Sequence, residues 1–245
     1  MLAAPLQGWA SESASYLIEL VRLPPACYEH LILPRRAQKR PPAVGYTPKL
    51  PCSMHLADGM LNLPVAAATT AVSTAAVAWS LARARSSLAE RMVPLAGMMG
   101  ACVFAAQMVK FPILPGTAGH LMGGTLAALV LGPWVAMLVM TVVVLLQCLV
   151  YYDGGLTVLG ANVLNLGIIG PWAGYAGSLL IRRLFAGASG QIAGATLGGW
   201  LGVALAAVVC AVQLACSGTF PMAAVLPAMA IVHSAIGLVE GLLTG

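Results

Sequence analysis

The polar side chains after residue 53 that invite a chemical reading are His55, Asp58, His120, Asp153, Asn162, Asn165, His233 and Glu240. His55 follows Met54 directly. In a chain that begins at Met54, the free amine, the His55 amide nitrogen and the His55 imidazole close adjacent chelate rings around one cation, and His120 can supply a fourth nitrogen. Four nitrogens in a plane suit Ni(II) or Cu(II), and imidazole nitrogen suits Co(II) and Zn(II) as well. Spacing alone leaves open whether the two histidines meet. The other candidates carry plainer readings beside the functional one: His233 can hydrogen-bond a neighbouring helix, Asp153 can fix the DGG turn that it opens, and Asn162 and Asn165, three apart, can share a helix face and make interhelical hydrogen bonds.

The elements that must position these groups follow from composition. Of 245 residues, 60% are hydrophobic and 8% charged, against about a quarter charged in soluble domains. So few charges cannot coat a water-soluble globule of this size, and the alternative solvent is lipid. Extended disorder, collagen and a disulfide-rich secreted fold are excluded by the same composition, because six Cys are spread thinly through an apolar chain. Cys102, Cys148 and Cys210 lie in apolar runs without CxxC spacing and read as helix-packing residues. Apolar runs near 63–82, 92–109, 119–131, 133–151, 158–181, 190–213 and 221–243 predict an all-α polytopic membrane helix bundle of about seven transmembrane helices. The third run stops at Gly132-Pro133 and predicts a short or tilted helix beside a tight turn. Gly190, Gly194, Gly198 and Gly202, like Gly97, Ala101 and Ala105, recur every fourth position and let helix backbones approach, with packing inside the chain favoured over a partner surface. No internal repeat is visible, which speaks against an inverted-repeat transporter.

The net charge of +5 does not point to nucleic acid, because six of the twelve Lys and Arg precede residue 54, four of them in the cluster Arg35, Arg36, Lys39 and Arg40. Residues 1–53 are Pro-rich and of mixed polarity, and the segment before Met54 has no apolar h-region of a signal peptide. We therefore expect two parts: an atypical N-terminal extension, 1–53, from a misassigned start or removed by processing, and an integral membrane domain, 54–245. Arg83, Arg85 and Arg91 fall between the first two runs and Arg182 and Arg183 between the fifth and sixth, on one side of a seven-span chain. The positive-inside tendency makes that side cytoplasmic, with Met54 on the outer side and the C-terminus cytoplasmic. Lys110 is the exception and can snorkel from its helix end.

Four segments in order, MHLADGMLNLPV at 54–65, FPILPGTAGHLMGGTLAALVLGPW at 111–134, DGGLTVLGANVLNLGI at 153–168 and HSAIGLVEGLLTG at 233–245, resemble the CbiM/NikM family. These are the cobalt- and nickel-binding membrane S components of energy-coupling-factor (ECF) transporters. The resemblance covers 54–245 and none of 1–53. It implies an ECF S-component-like fold in the bacterial cytoplasmic membrane, and metal ligands at Met54, His55 and His120. It also implies Ni2+ or Co2+ as transported ligand without a resident cofactor, and the absence of catalytic residues. The implied partners are separate ATPase subunits, a T-component membrane protein of CbiQ/NikQ type and a small CbiN/NikN-type membrane subunit. The sequence agrees in having no GxxxxGK[ST] loop of its own. The Met-His-x-x-Asp-Gly form, with Ala57 and Asp58, resembles nickel members more than cobalt members. With residues 1–53 attached, the Met54 nitrogen would be an amide and the chelate incomplete.

A histidine ligand needs an acceptor for its other ring nitrogen, and Asp58, Asn162 and Asn165 are the expected supports, with Asn165 ranked last as the deepest. Two rival functions remain open from sequence. One is a membrane-embedded metal-dependent hydrolase built from His120, Asp153 and His233, which would need an open coordination position and has no HExxH motif behind it. The other is a passive channel.

Overall fold

The computed structural model describes residues 54–85, 92–114 and 117–245, and the expected extension 1–53 lies outside them. Seven helices follow one another among the described residues: α1 (Leu63–Ala84), α2 (Met92–Met108), α3 (Gly124–Leu131), α4 (Pro133–Val150), α5 (Leu159–Leu184), α6 (Gly187–Cys216) and α7 (Met222–Thr244). Between α2 and α3 runs a small antiparallel hairpin, β1 (Phe111–Leu114) and β2 (Thr117–Gly119), with Phe111 opposite Gly119. The chain is an all-α membrane bundle apart from that hairpin. Five helices, α1, α4, α5, α6 and α7, are long and apolar enough to cross a bilayer. The third is short, as the Gly132-Pro133 break predicts, and at 8 residues it rises only about 12 Å. It begins at Gly124 rather than near 119, because residues 117–119 are extended.

Local sequence explains the helix ends. Asn62 caps α1 by accepting the Val65 N–H at 3.0 Å, with Pro64 in the first turn where a missing N–H costs nothing. Gly123 and Gly132 bracket α3 with φ of 71° and 80°, a conformation that side chains resist. Pro133 then opens α4. Within α5, Pro171 lacks the N–H that would bond four residues back. The turn just before it widens into a π segment, Val163–Ile169, in which the Gly170 N–H reaches Asn165 O.

Close glycine contacts hold the last three helices together. A Cβ on Gly198 would lie 2.5 Å from Gly174 O, one on Gly202 2.7 Å from Gly170 O, and one on Gly199 2.9 Å from Gly241 Cα. The stripe from Gly190 to Gly202 is therefore an internal seam against α5. The second stripe differs: Gly97 faces open space, and with Gly100 and Ala101 it lines an apolar groove of about 760 Å³ between α2 and α4. The main core gathers Leu56, Met122, Leu166, Leu214, Val225 and Met229. Both α1 and α5 start beside His55 and finish at the opposite end of the bundle, carrying Arg83, Arg182 and Arg183 in their last turns.

Candidate metal centre

His55 and His120, far apart in the chain, come together. Nδ1 of His55 lies 3.1 Å from Nε2 of His120, with ring centroids 5.0 Å apart. What each ring does with its other nitrogen fixes the chemistry between them. Nε2 of His55 stands 3.1 Å from Oε1 of Gln147, and Nδ1 of His120 stands 2.9 Å from the Leu121 carbonyl. Both oxygens can only accept, so those nitrogens carry the protons. The lone pairs of His55 Nδ1 and His120 Nε2 then face each other, and only a cation, a proton or a metal, reconciles them. Imidazole nitrogens each about 2.0–2.1 Å from one metal at a right angle would be about 2.9 Å apart, close to the spacing observed.

Burial first, and then the neighbouring His120, push His55 down to about 4. Burial likewise lowers His120. Both rings are neutral near pH 7, the form in which imidazole binds a metal. Met54 and His55 are buried, at 4% and 7% exposure, so the site is shielded from bulk solvent. Part of that cover is the loop after α4, where Tyr152 and Gly154 adopt φ of 56° and 102°. A Cβ on Gly154 would lie 2.8 Å from Asn162 Nδ2 and 3.7 Å from His55 Cδ2, so the DGG turn packs directly on the site. Asp153 donates its own N–H to Gln147 O at 3.0 Å, and its carboxylate lies 3.7 Å from Lys110 Nζ.

The three expected supports behave differently. Asn162 grips the main chain after His55, accepting the Leu56 N–H at 2.8 Å and donating to Leu56 O at 3.0 Å. Asp58 accepts the Thr157 N–H and hydroxyl at 2.8 and 2.6 Å, tying the Met54 segment to the loop before α5. Asn165 turns away and exchanges two hydrogen bonds with Gln213 on α6 at 2.9 and 2.8 Å. The expected shared face fails because the π segment starting at Val163 carries Asn165 around the helix toward α6. The residue that holds the His55 ring is Gln147, backed by Gln107: Gln147 Nε2 donates to Gln107 Oε1 at 2.7 Å, and Gln107 Nε2 donates to Met122 O at 2.6 Å. Sequence reasoning missed both glutamines. An uncharged amide near the end of an apolar run was the available signal.

His233 bonds within its own helix, with Nδ1 2.9 Å from the Met229 carbonyl four residues back, rather than to the neighbouring helix expected of it. Among the described residues no group of three or more His, Cys, Asp or Glu converges on a common point. The hydrolase centre of His120, Asp153 and His233 is therefore not assembled.

Comparison with known proteins decides the lineage. The family described as "Cobalt uptake substrate-specific transmembrane region", CbiM, matches residues 55–245. The chain belongs to the CbiM family. The cobalt transport protein CbiM of Sorangium cellulosum is 36% identical over 198 residues, covering 78% of this chain and 88% of that one. The fused nickel transport protein NikMN of Rhodobacter capsulatus is 32% identical over 207 residues, covering 78% and 59%. A NikMN-named chain of Archaeoglobus fulgidus is 39% identical over 193 residues, and this chain spans 63% of its length. A crystal structure of a truncated transition metal transporter matches with a TM-score of 0.71 at 28% identity, over 78% of this chain and 94% of that one. CbiM-family relatives are thus named for both cobalt and nickel, and each is named a transport protein.

Proposed function

We propose that this chain is the substrate-specific membrane component of an energy-coupling-factor transporter, capturing Ni2+ or Co2+ through the Met54 amine, the His55 amide and imidazole nitrogens, and His120. The observation that carries the reading is the 3.1 Å approach of His55 Nδ1 to His120 Nε2. The residues fit the substrate: both rings are neutral, one is tautomer-locked by Gln147, and the main chain beside them is clamped by Asn162. The family match beginning at residue 55 supports a working chain that starts at Met54. Nickel is the favoured ion, because a planar set with a deprotonated backbone amide suits Ni(II) and the Met-His-x-x-Asp-Gly form resembles nickel members.

In this reading the protein sits in the bacterial cytoplasmic membrane with the metal site on the outer side and the arginine-bearing helix ends in the cytoplasm. ATP is hydrolysed by separate subunits coupled through a T component of CbiQ/NikQ type. A CbiN/NikN-type subunit completes the assembly, and relatives with fused NikMN names support that last partner. The test is a competitive titration of the natively expressed protein with Ni2+ and Co2+, following the visible spectrum and proton release, with intact mass reading the N-terminus. Planar Ni(II) gives a diamagnetic centre and a released proton. Octahedral nickel without proton release overturns the site, and preferential cobalt retention overturns the nickel assignment alone.

A further inference from the structure

Glu240 has no part in the ligand set, yet a carboxylate on a membrane helix is costly to keep. It is 3% exposed on α7. Its Oε2 accepts the Met122 N–H at 2.8 Å and its Oε1 the Gly123 N–H at 2.6 Å. Gly123 is the N-cap of α3 and offers no side chain to cap it, so the carboxylate meets the positive end of that short helix. From the other side the same turn is pressed against α2, where a Cβ on Gly123 would fall 2.8 Å from Val103 Cγ2.

The Met122–Gly123 peptide is therefore held on both sides, its N–H (that of Gly123) by Glu240 and its C=O (that of Met122) by Gln107. Two routes lead from that one peptide to the two imidazoles. His120 is two residues up the chain. His55 is reached through two amides, since Gln107 accepts from Gln147 and Gln147 accepts from the His55 ring. Wherever the Met122 peptide sits, both donors follow it.

We infer that Glu240 is a positioning residue of the metal site, setting the separation of His55 Nδ1 and His120 Nε2 by anchoring the Met122 and Gly123 N–H groups to α7. This rests on the proposed nickel- or cobalt-binding reading. A cap that only stabilised α3 would show in thermal stability and leave the bound metal's spectrum untouched. A positioning residue must show in the spectrum and the affinity.

The experiment titrates natively expressed wild type, Glu240→Gln, His120→Ala and the double variant with Ni2+, recording the visible band, the dissociation constant and the melting temperature. Glutamine keeps the size but turns an NH2 donor toward one of the two N–H groups. The expected result is a displaced band and a loss of affinity of about ten- to a hundredfold, the usual effect of losing an outer-shell partner. In the His120→Ala background Glu240→Gln should cost less than in wild type, because the separation that Glu240 sets needs both donors. A Glu240→Gln protein with the wild-type band and affinity, whatever its melting temperature, reduces Glu240 to a cap and overturns the inference. If Glu240→Gln does not accumulate folded, Gln107→Leu frees the same peptide from its other side, and unchanged nickel binding there overturns the inference equally. His120→Ala separates the two levels: if it too binds nickel normally, the parent reading has failed, whereas loss in His120→Ala with a silent Glu240→Gln removes only this inference.

Discussion

Two pairs of buried amides occupy the membrane domain, Gln107 with Gln147 and Asn165 with Gln213, and they do different things with the same functional group. Asn165 and Gln213 exchange two hydrogen bonds and close on each other, joining α5 to α6. Gln107 and Gln147 share one bond, which leaves each an end to spend elsewhere: Gln147 Oε1 on the His55 ring and Gln107 Nε2 on Met122 O. A reciprocal pair is an internal weld, whereas a pair joined once is a link in a chain with two ends. Residue type and burial do not separate them. Connectivity does.

That contrast can be broken experimentally, from the strongest expected effect downward. His55→Ala and His120→Ala each remove a nitrogen donor, and nickel titration should show a loss exceeding the hundredfold typical of the largest outer-shell effects. Gln147→Leu leaves the donors in place but frees the His55 ring, and should cost about ten- to a hundredfold in affinity. Asn165→Leu, equally buried, should leave nickel affinity unchanged and lower the melting temperature, since it strands the Gln213 amide at a cost of about 1–3 kcal/mol. A titration in which Asn165→Leu weakens nickel as much as Gln147→Leu would dissolve the distinction.

Proton competition sharpens the same picture. The His55 ring, pushed down to about 4 by burial and by His120, stays neutral through the physiological range. An α-amino group titrates near about 8, and the backbone amide must also lose its proton. On the proposed ligand set, nickel affinity should therefore weaken as pH falls from about 8 toward 6, driven by amine and amide, with the His55 ring contributing only as pH approaches 4. Proton uptake by the His55 ring at pH 6.5, followed by NMR of the metal-free protein, would show that the site is wetter than the structure describes. The smallest effect belongs to Lys110→Ala. That side chain is 57% exposed in a loose 3.7 Å pair with Asp153, and exposed pairs contribute about 0–1 kcal/mol, so nickel affinity should move by no more than about fivefold, with a dependence on salt.

The helix order was legible in the sequence because apolar runs broken by Gly and Pro report it directly, down to the short α3 before Gly132-Pro133. His55 and His120 could be nominated from type and from resemblance, but only the fold brings them within 3.1 Å. Asn165 could not be placed, since a period of 3.6 residues is assumed whenever residues three apart are assigned one face, and the π segment violates it. Gln107 and Gln147 went unread for a different reason. An uncharged amide carries little weight in a hydropathy pattern, and its value depends wholly on which partners it finds.

The grip of Glu240 on Met122 and Gly123 has a consequence for biogenesis. The turn beside His120 is made from residues near 120, whereas its anchor lies on α7, which leaves the ribosome after α1 to α6. Until α7 has inserted, the Met122 and Gly123 N–H groups lack their acceptor, and irregular backbone at membrane depth is tolerated only where protein or water satisfies it. If Glu240 positions the site as inferred, metal loading waits for α7, and a chain stalled or cut before α7 would reach the membrane unable to hold its ion.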